Sequence, residues 1–312
     1  MRIVKETNID FIGVRYYAYA ISAVIILAGL ISLIVKGGPT WGVDFQGGVV
    51  LQAKFDREVT TDEIRSAIES AGVPNVSVQH GQTKDEVIVS SPEVGLIVGK
   101  EASDIMKEAL IKPGNPWVVD EKAINVDKVS PSVGRDLIAG AIKSLSLGLA
   151  LILIYMAIRF EFRFGLGGII ALFHDVAVTL GFFSLFNEPI DLSAVAAFLT
   201  IIGFSINDTI VIFDRVRENM KIMKDKSFDE ILNISVNQNI GRTIITTGTA
   251  LLTIIAIFAI ARVGTLHTLS FALLVGFISG VYSTLYIAAP VVRAWHFSII
   301  PKKFRKAESK TA

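Results

Sequence analysis

The chain has 312 residues, of which 52% are hydrophobic and only 19% are charged, and its mean hydropathy is +0.57. This composition is too apolar for an ordinary soluble domain and predicts a polytopic membrane protein. A formal net charge of +1 gives no broad basic surface for nucleic acid, and the lack of cysteine excludes disulfides, thiolate nucleophiles and cysteine metal sites. The four histidines are scattered with no pair at ligand spacing, so we expect neither a metal site nor a bound cofactor.

The first predicted element is a membrane helix over residues 16–35. This run is uncharged and follows the basic residues Arg2, Lys5 and Arg15. Twenty helical residues, at about 1.5 Å each, cross a hydrocarbon core of about 30 Å. The alternative is a cleaved signal peptide, whose apolar region would be only about 7–15 residues long and would end in a small-x-small cleavage site.

The next hundred or so residues have the composition of a soluble domain. The Lys36-Gly37-Gly38-Pro39 segment ends the first helix. Alternating apolar positions and turn residues then predict strands over 48–55, 76–80, 86–90 and 122–130, and helices over 60–71 and 101–111, the first opened by Thr61. The resulting order, βαββαβ, is typical of an α+β ferredoxin-like domain.

Five further membrane helices are predicted after this domain. They cover residues 137–158, 164–186, 192–213, 243–261 and 266–292. The connection 214–242 is rich in charge, and we expect it to hold a short amphipathic helix over 228–236. The full fold prediction is therefore a polytopic α-helical membrane protein with six transmembrane helices and one ferredoxin-like domain between helices 1 and 2.

The distribution of basic residues predicts the orientation in the membrane. Six spans place both termini on one side, and the amino-terminal segment, the turn at 159–163, the 214–242 connection and the tail are all basic. These parts should face the cytoplasm, and the ferredoxin-like domain should be extracytoplasmic. We divide the chain into an amino-terminal segment with the first helix (1–36), the extracytoplasmic domain (37–134), helices 2–6 (135–297) and a basic cytoplasmic tail (298–312).

Asp208 is the most informative polar residue. It is the only charged residue in the apolar run 192–213. A charge at membrane depth costs at least about 2.5 kcal/mol, and such residues commonly belong to ion or proton paths. Ser205 shares its helical face, and Arg242 could meet it if the fourth and fifth helices pack together. Movement of Arg242 would then change the proton affinity of Asp208. The alternatives are a structural ion pair for Asp208 and an interfacial anchor for Arg242.

A second polar pair, His174 and Asp175, lies in the middle of the third predicted membrane helix. Histidine can relay protons near neutral pH, so the pair is a further candidate for the ion path. The alternative is hydrogen bonding between neighbouring helices.

Two motifs resemble enzyme motifs but each lacks a required residue. Residues 42–48 have the glycine spacing of a P-loop, but Gly48 stands where the phosphate-binding lysine is needed. Residues 203–207 approach a nucleophile elbow, but Asn207 replaces its last glycine and the setting is a membrane helix. We therefore expect no enzymatic activity.

Several motifs together resemble the SecF branch of the SecD/SecF protein-export family, in the resistance-nodulation-division superfamily. The likeness covers nearly the whole chain. It is most specific at 202–219 and 239–247, and it includes Val133-Gly134 and His174-Asp175. It also includes a glycine motif at the entry to the extracytoplasmic domain, formed by Gly42, Asp44, Phe45, Gly47 and Gly48.

The resemblance implies a role in protein export at the cytoplasmic (inner) membrane of a prokaryote. The implied partners are SecD, the SecYEG channel, the SecA motor, YajC and the translocating preprotein. An ion gradient, usually of protons, would drive movements of the outward domains without ATP. In that scheme Asp208 and Arg242 gate the ion path, which we expect to include Ser205, Asn207 and Thr209 as well.

Two other functions remain open from the sequence. One is a half-size exporter of lipids or small hydrophobic molecules on the same superfamily scaffold, which a large apolar cleft in the outward domain would favour. The other is a non-conducting assembly scaffold that stabilises its partners without moving ions.

Overall fold

The computed structural model describes residues 7–81, 83–92, 96–97, 99–261 and 264–299. The basic residues predicted at the extreme amino terminus and in the tail therefore lie outside the described residues. The first helix, α1, spans Arg15–Val35, and a short helix, α2, spans Val43–Gln46. Between them the chain leaves helical geometry at Gly37 and Gly38, both of which have positive φ. This break separates the first membrane helix from the domain, as predicted.

The α/β domain forms a four-stranded antiparallel sheet with two helices on it. In chain order its elements are β1 (Gly48–Phe55), α3 (Thr61–Ser70), β2 (Ser77–His80), β3 (Glu86–Ser91), β4 (Leu96–Ile97), β5 (Lys100–Glu101), α4 (Ala102–Ile111) and β6 (Val119–Val129). The main sheet has the order β2-β3-β1-β6, and β4 pairs with β5 in a separate hairpin. The βαββαβ order is confirmed, with this small hairpin as an addition. The helix α3 is capped by Thr60, in a capping box with Glu63, and not by Thr61 as predicted.

Period-two patterning explains why this sheet has one buried face. Residues of β1 and β3 alternate between buried and partly exposed positions, with Val49, Leu51, Val87 and Val89 directed into the core. The two helices cover that face with Ile64, Ile68, Met106 and Leu110, among others. The domain thus has a hydrophobic core of its own.

Six described helices or helical runs are long and apolar enough to span a membrane, as predicted. The first is α1. The others are α5 (Pro131–Arg159), α6 (Phe162–Phe186), α7 (Leu192–Ile222), α8 (Phe228–Ile260) and a run formed by α9 (Thr265–Ser283), a π-helix (Thr284–Ala288) and α10 (Ala289–Ile299).

The helices α6, α7 and α9 form the centre of the bundle, and α1, α5 and α8 lie outside them with large exposed apolar faces. Close packing of α1 on α6 depends on small residues. A Cβ atom at Gly29 would lie only 2.4 Å from the Cα atom of Gly181. Paired glycines let two membrane helices approach closely at such a crossing.

The prediction of a long connection between two membrane helices over 214–242 is wrong. The helix α7 continues to Ile222, and α8 already begins at Phe228 behind a capping box formed by Ser227 and Glu230. The predicted amphipathic helix over 228–236 is simply the first part of α8. Both helices extend beyond their apolar segments, because a charged turn that keeps its backbone hydrogen bonds continues a helix as well as an apolar one does.

Candidate functional site

Asp208 lies in the middle of the bundle, on the side of α7 that faces α8. Its side chain is only 6% exposed and faces the hydroxyl groups of Thr243 and Thr247. Arg242, one residue before Thr243, is exposed but close enough for its charge to act on the carboxyl group. No ion pair within 4.0 Å joins Asp208 to Arg242 in the described part of the chain. The two residues are therefore neighbours across the α7–α8 contact without a closed salt bridge.

The other predicted members of the ion path point in different directions. The Ser205 hydroxyl donates to Asp175 Oδ2 at 2.6 Å, which ties it to α6. Thr209 Oγ1 lies 2.9 Å from Thr284 Oγ1, at the start of the π-helix. Asn207 is exposed on the outside of α7. One helix, α7, thus carries the buried carboxylate toward α8 and two hydroxyl groups toward α6 and α9.

Asp175 is a buried carboxyl group with four polar partners. Its residue is 0% exposed. Oδ1 accepts from Ser279 Oγ at 2.6 Å and lies 3.2 Å from His174 Nδ1, and Oδ2 accepts from Ser205 at 2.6 Å and Ser283 at 2.8 Å. The sequence alone does not link Ser279 and Ser283 to Asp175. Their spacing of four places both on one helical face, but only the observed rotation of α9 shows that this face meets Asp175.

His174 extends this cluster to α1. Its Nε2 atom lies 2.9 Å from Ser22 Oγ, and its ring stacks on Tyr282 with 5.7 Å between centroids. Ser22 donates to the Tyr282 hydroxyl at 3.1 Å, and that hydroxyl donates to the Ala18 carbonyl at 2.6 Å. The His174–Asp175 pair therefore connects α1, α6, α7 and α9 through hydrogen bonds inside the bundle.

The glycine motif fastens the α/β domain to one end of the bundle. The Gly42 amide donates to the Ile190 carbonyl at 2.8 Å, and Asp44 Oδ2 accepts from the Leu192 amide at 3.1 Å. Phe45 is buried in an apolar cluster with residues of α6, α7 and α9. Gly47 and Gly48 both have positive φ, and a Cβ atom at Gly48 would lie 2.3 Å from the Ser91 carbonyl. The motif is thus a tight turn that leads from the bundle into β1.

Asp191 lies under this motif and caps α7. Its Oδ1 atom accepts from the Ala194 amide at 2.8 Å and from Ser193 Oγ at 2.6 Å. Burial raises the pKa of Asp191 above its ordinary value, and the nearby carboxylate of Asp44 raises it further, against the effect of these hydrogen bonds. Ionisation of Asp191, at the end of α7 that contacts the domain, therefore costs more free energy than ionisation of an exposed aspartate.

The chain is similar to known proteins over nearly its whole length. Two family models match the chain: "Protein export membrane protein SecD/SecF, C-terminal" over residues 112–298 and "SecD/SecF GG Motif" over residues 31–59. The protein translocase subunit SecF of Rhodothermus marinus is 39% identical over 300 residues, covering 94% of each chain. The chain belongs to the SecF family. The resemblance deduced from the motifs is thereby confirmed, and the glycine motif coincides with the matched GG motif.

Other relatives in the SecF family agree with this assignment. The subunit from Haemophilus influenzae is 36% identical and aligns with 90% of this chain and 84% of its own. The crystal structure of SecDF from Thermus thermophilus, described as a translocon-associated membrane protein, superposes with a TM-score of 0.81 at 30% identity. That match covers 94% of this chain but 39% of the solved SecDF chain, so the present chain spans well under half of that protein. The predicted fold class is confirmed by this match and by the observed helices and sheet.

Proposed function

We propose that this SecF-family chain acts with SecD as an ion-driven subunit that promotes late steps of preprotein export through the SecYEG channel. The single observation that carries the proposal is the buried carboxyl group of Asp208, held at membrane depth between α7 and α8 within reach of the Arg242 charge. An isolated ionisable group is expensive at such a depth and is typical of an ion path. Protons are the ion that we propose.

The proposed mechanism links the protonation of Asp208 to helix packing. A neutral Asp208 no longer attracts Arg242, so the α7–α8 contact can rearrange each time a proton binds or leaves. Movement of α7 reaches the α/β domain by way of Leu192 and Ile190, which are bonded to the glycine motif, and α1 and α5 lead directly into that domain. One charge crossing 100 mV supplies about 2.3 kcal/mol, so a large domain movement needs several protons.

The proposed setting is the cytoplasmic membrane of a prokaryote, with both termini in the cytoplasm and the domain at 37–134 outside. The basic last turns of α5, with Arg159, and of α7, with Lys221, support this orientation. SecD is the proposed direct partner, and the exposed apolar faces of α1, α5 and α8 leave surface for SecD as well as for lipid. SecYEG, SecA and YajC are the further proposed partners. The gradient supplies the energy, so the proposal includes neither ATP hydrolysis nor a bound cofactor.

Gradient-dependent export tests this proposal. We expect Asp208→Asn, in membrane vesicles containing SecD and the channel, to abolish the stimulation of preprotein export by a proton gradient while the complex still assembles. Asp225→Asn makes the same chemical change at an exposed position between α7 and α8 and should leave the stimulation intact. Full stimulation in the Asp208 variant would refute the proposed path.

The structure gives the exporter alternative little support. That function called for a large apolar cleft in the α/β domain, whereas the described sheet and helices of this domain pack their buried apolar residues against one another in one cluster. An apolar cavity of about 250 Å³ lies instead between α5, α6 and α7 under Trp41 and Phe45. It belongs to the membrane bundle, where lipid is the surrounding solvent.

A further inference from the structure

The hydrogen bonds around His174 fix the position of one proton by donor accounting. Tyr282 has a single hydroxyl hydrogen, and it is donated to the Ala18 carbonyl, which can only accept. The 3.1 Å contact between Ser22 and Tyr282 must then use the hydrogen of Ser22. With its own hydrogen committed, Ser22 Oγ can only accept from His174 at 2.9 Å. The network therefore assigns a hydrogen to Nε2 of His174.

This assignment leaves the other ring nitrogen to be explained. Nδ1 of His174 lies 3.2 Å from Asp175 Oδ1. In a neutral histidine with its hydrogen on Nε2, Nδ1 carries a lone pair, which would face a second lone pair on an ionised carboxylate. A hydrogen bond at this contact requires one more proton, carried either by the imidazole ring or by the carboxyl group.

We propose that His174 and Asp175 form a proton-binding site that holds one exchangeable proton between Nδ1 and Oδ1. This inference deepens the proposed function. It rests on that function for one point, namely that the driving ion is a proton. It assigns a second proton site to α6, distinct from Asp208 on the α7–α8 side. The site is enclosed, since Asp175 is 0% and His174 8% exposed.

The hydrogen-bond partners of the Asp175 carboxylate favour a proton over a metal cation at this site. A carboxylate offers about four lone-pair positions, and those of Asp175 are directed to Ser205, Ser279, Ser283 and His174. All four partners can supply hydrogens to it. A sodium ion would need these oxygens as ligands and would have to break several of the short hydroxyl contacts.

The groups around the pair on each helix are consistent with a single shared proton. The helix α1 contributes Ser22 and α7 contributes Ser205, neither of which is charged. The helix α9 contributes Ser279, Ser283 and Tyr282, and Tyr282 is the titratable group that contacts the pair there. Asp208 is the acidic residue of α7 nearby in sequence, and it faces α8 instead.

Loss of this proton has a defined structural consequence. The Nδ1···Oδ1 contact would become repulsive until the ring changed to the tautomer with its hydrogen on Nδ1. Nε2 would then need a donor, and Ser22 could supply one only by breaking its bond to Tyr282. The proton is therefore coupled to the contact between α1 and α9, and α1 leads directly to the glycine motif.

Nuclear magnetic resonance of the full chain in lipid nanodiscs tests the site directly. Ring-¹⁵N-labelled histidine reports which nitrogens carry hydrogen, and His174→Gln identifies the His174 signals among the four histidines. At pH 7 we expect a hydrogen on Nε2, and a second proton either on Nδ1 or on Asp175. The carboxyl stretching band in infrared spectra, assigned by Asp175→Asn, distinguishes these two supporting cases. The proposal would be overturned if Nε2 carried no hydrogen. It would also be overturned if a ring with hydrogen on Nε2 alone lay beside an ionised Asp175.

Two variants separate this site from general effects on folding. Tyr282→Phe frees the Ser22 hydrogen for donation to Nε2, so we expect one proton to leave to solvent and the ring to carry hydrogen on Nδ1 only, with a bare Nε2 and an ionised Asp175. Tyr286→Phe removes a hydroxyl one helical turn later and should leave the His174 signals unchanged. If Tyr282→Phe does not fold, Ser22→Ala should produce the same change of tautomer. An unchanged His174 in a folded Tyr282→Phe or Ser22→Ala protein would contradict the inference.

The tautomer measurement needs neither a gradient nor an export partner. Its failure is therefore distinguishable from failure of the proposed function, which would appear as normal gradient-dependent export by Asp208→Asn.

Discussion

Two buried aspartates at membrane depth differ in how their carboxyl groups are satisfied. Asp175 has four polar partners, three serines on the two helices α7 and α9 and its own neighbour His174, which stabilise it in place. Asp208 has two threonine hydroxyls beside it and a guanidinium that is near but not paired. A carboxyl group without a closed ion pair can exchange its proton with less reorganisation, because no salt bridge has to break first. This difference makes Asp208 the better candidate for the exchanging group of the path.

Asp191 provides a prediction on stability and pH. Because burial raises its pKa, the folded chain binds this proton more tightly than the unfolded chain does. Its contribution to stability is therefore greatest at acid pH and decreases as the pH rises through the raised value. Asp191→Asn keeps an effective N-cap for α7 and removes the buried charge. We expect a higher melting temperature than wild type at pH 7, with the difference closing as the pH falls toward the ordinary aspartate value.

Thermal unfolding in detergent between pH 4 and pH 8 measures this effect. Asp191→Ala serves as the control, since it removes the charge together with the cap and should lose about 1 kcal/mol relative to the asparagine variant. An asparagine variant that melts below wild type at pH 7 would show that the charge at this helix end is stabilising.

At the scale of elements, the crossing of α1 and α6 is set by two glycines. We expect Gly29→Ala to destabilise the folded chain by about 1–3 kcal/mol, because the new methyl group would meet the Gly181 backbone and neither helix can yield without losing packing. Gly203→Ala is the matched control on α7, where a Cβ atom would meet nothing within 4 Å. It should be neutral or slightly stabilising by helix propensity. Equal melting temperatures for the two variants would argue against a tight crossing.

The elements that the sequence could predict are those fixed by local pattern. Length and hydropathy identify six spans, and alternation identifies the strands of the domain. The same reasoning failed over 214–242, because hydropathy does not distinguish a charged loop from a helix that continues into water. Capping signals at Ser227 and Glu230 were present and would have corrected it. The partners of Asp175 could not be predicted, since they depend on how α7 and α9 rotate against α6.

For the whole molecule, the contact between the glycine motif and α5 joins the domain to the bundle. A Cβ atom at Gly134 would lie 2.5 Å from the Phe45 carbonyl. We expect Gly134→Ala to loosen this contact and to raise the hydrogen-exchange rates of the Gly42 and Gly47 amides severalfold, with a parallel loss of gradient-dependent export. Gly140→Ala, on the same helix with nothing within 4 Å, should change neither. Normal exchange and export in the Gly134 variant would mean that force does not pass through this contact.

The central claim is that ions cross the membrane through Asp208, and ion flux measures it most directly. Vesicles containing this chain with SecD would be given proton and sodium gradients separately, with Asp208→Asn and Asp225→Asn compared to wild type. We predict proton flux in wild type and in the Asp225 variant, and loss of that flux in the Asp208 variant. Absence of flux in wild type would favour the scaffold function, and undiminished flux in Asp208→Asn would contradict the path proposed here.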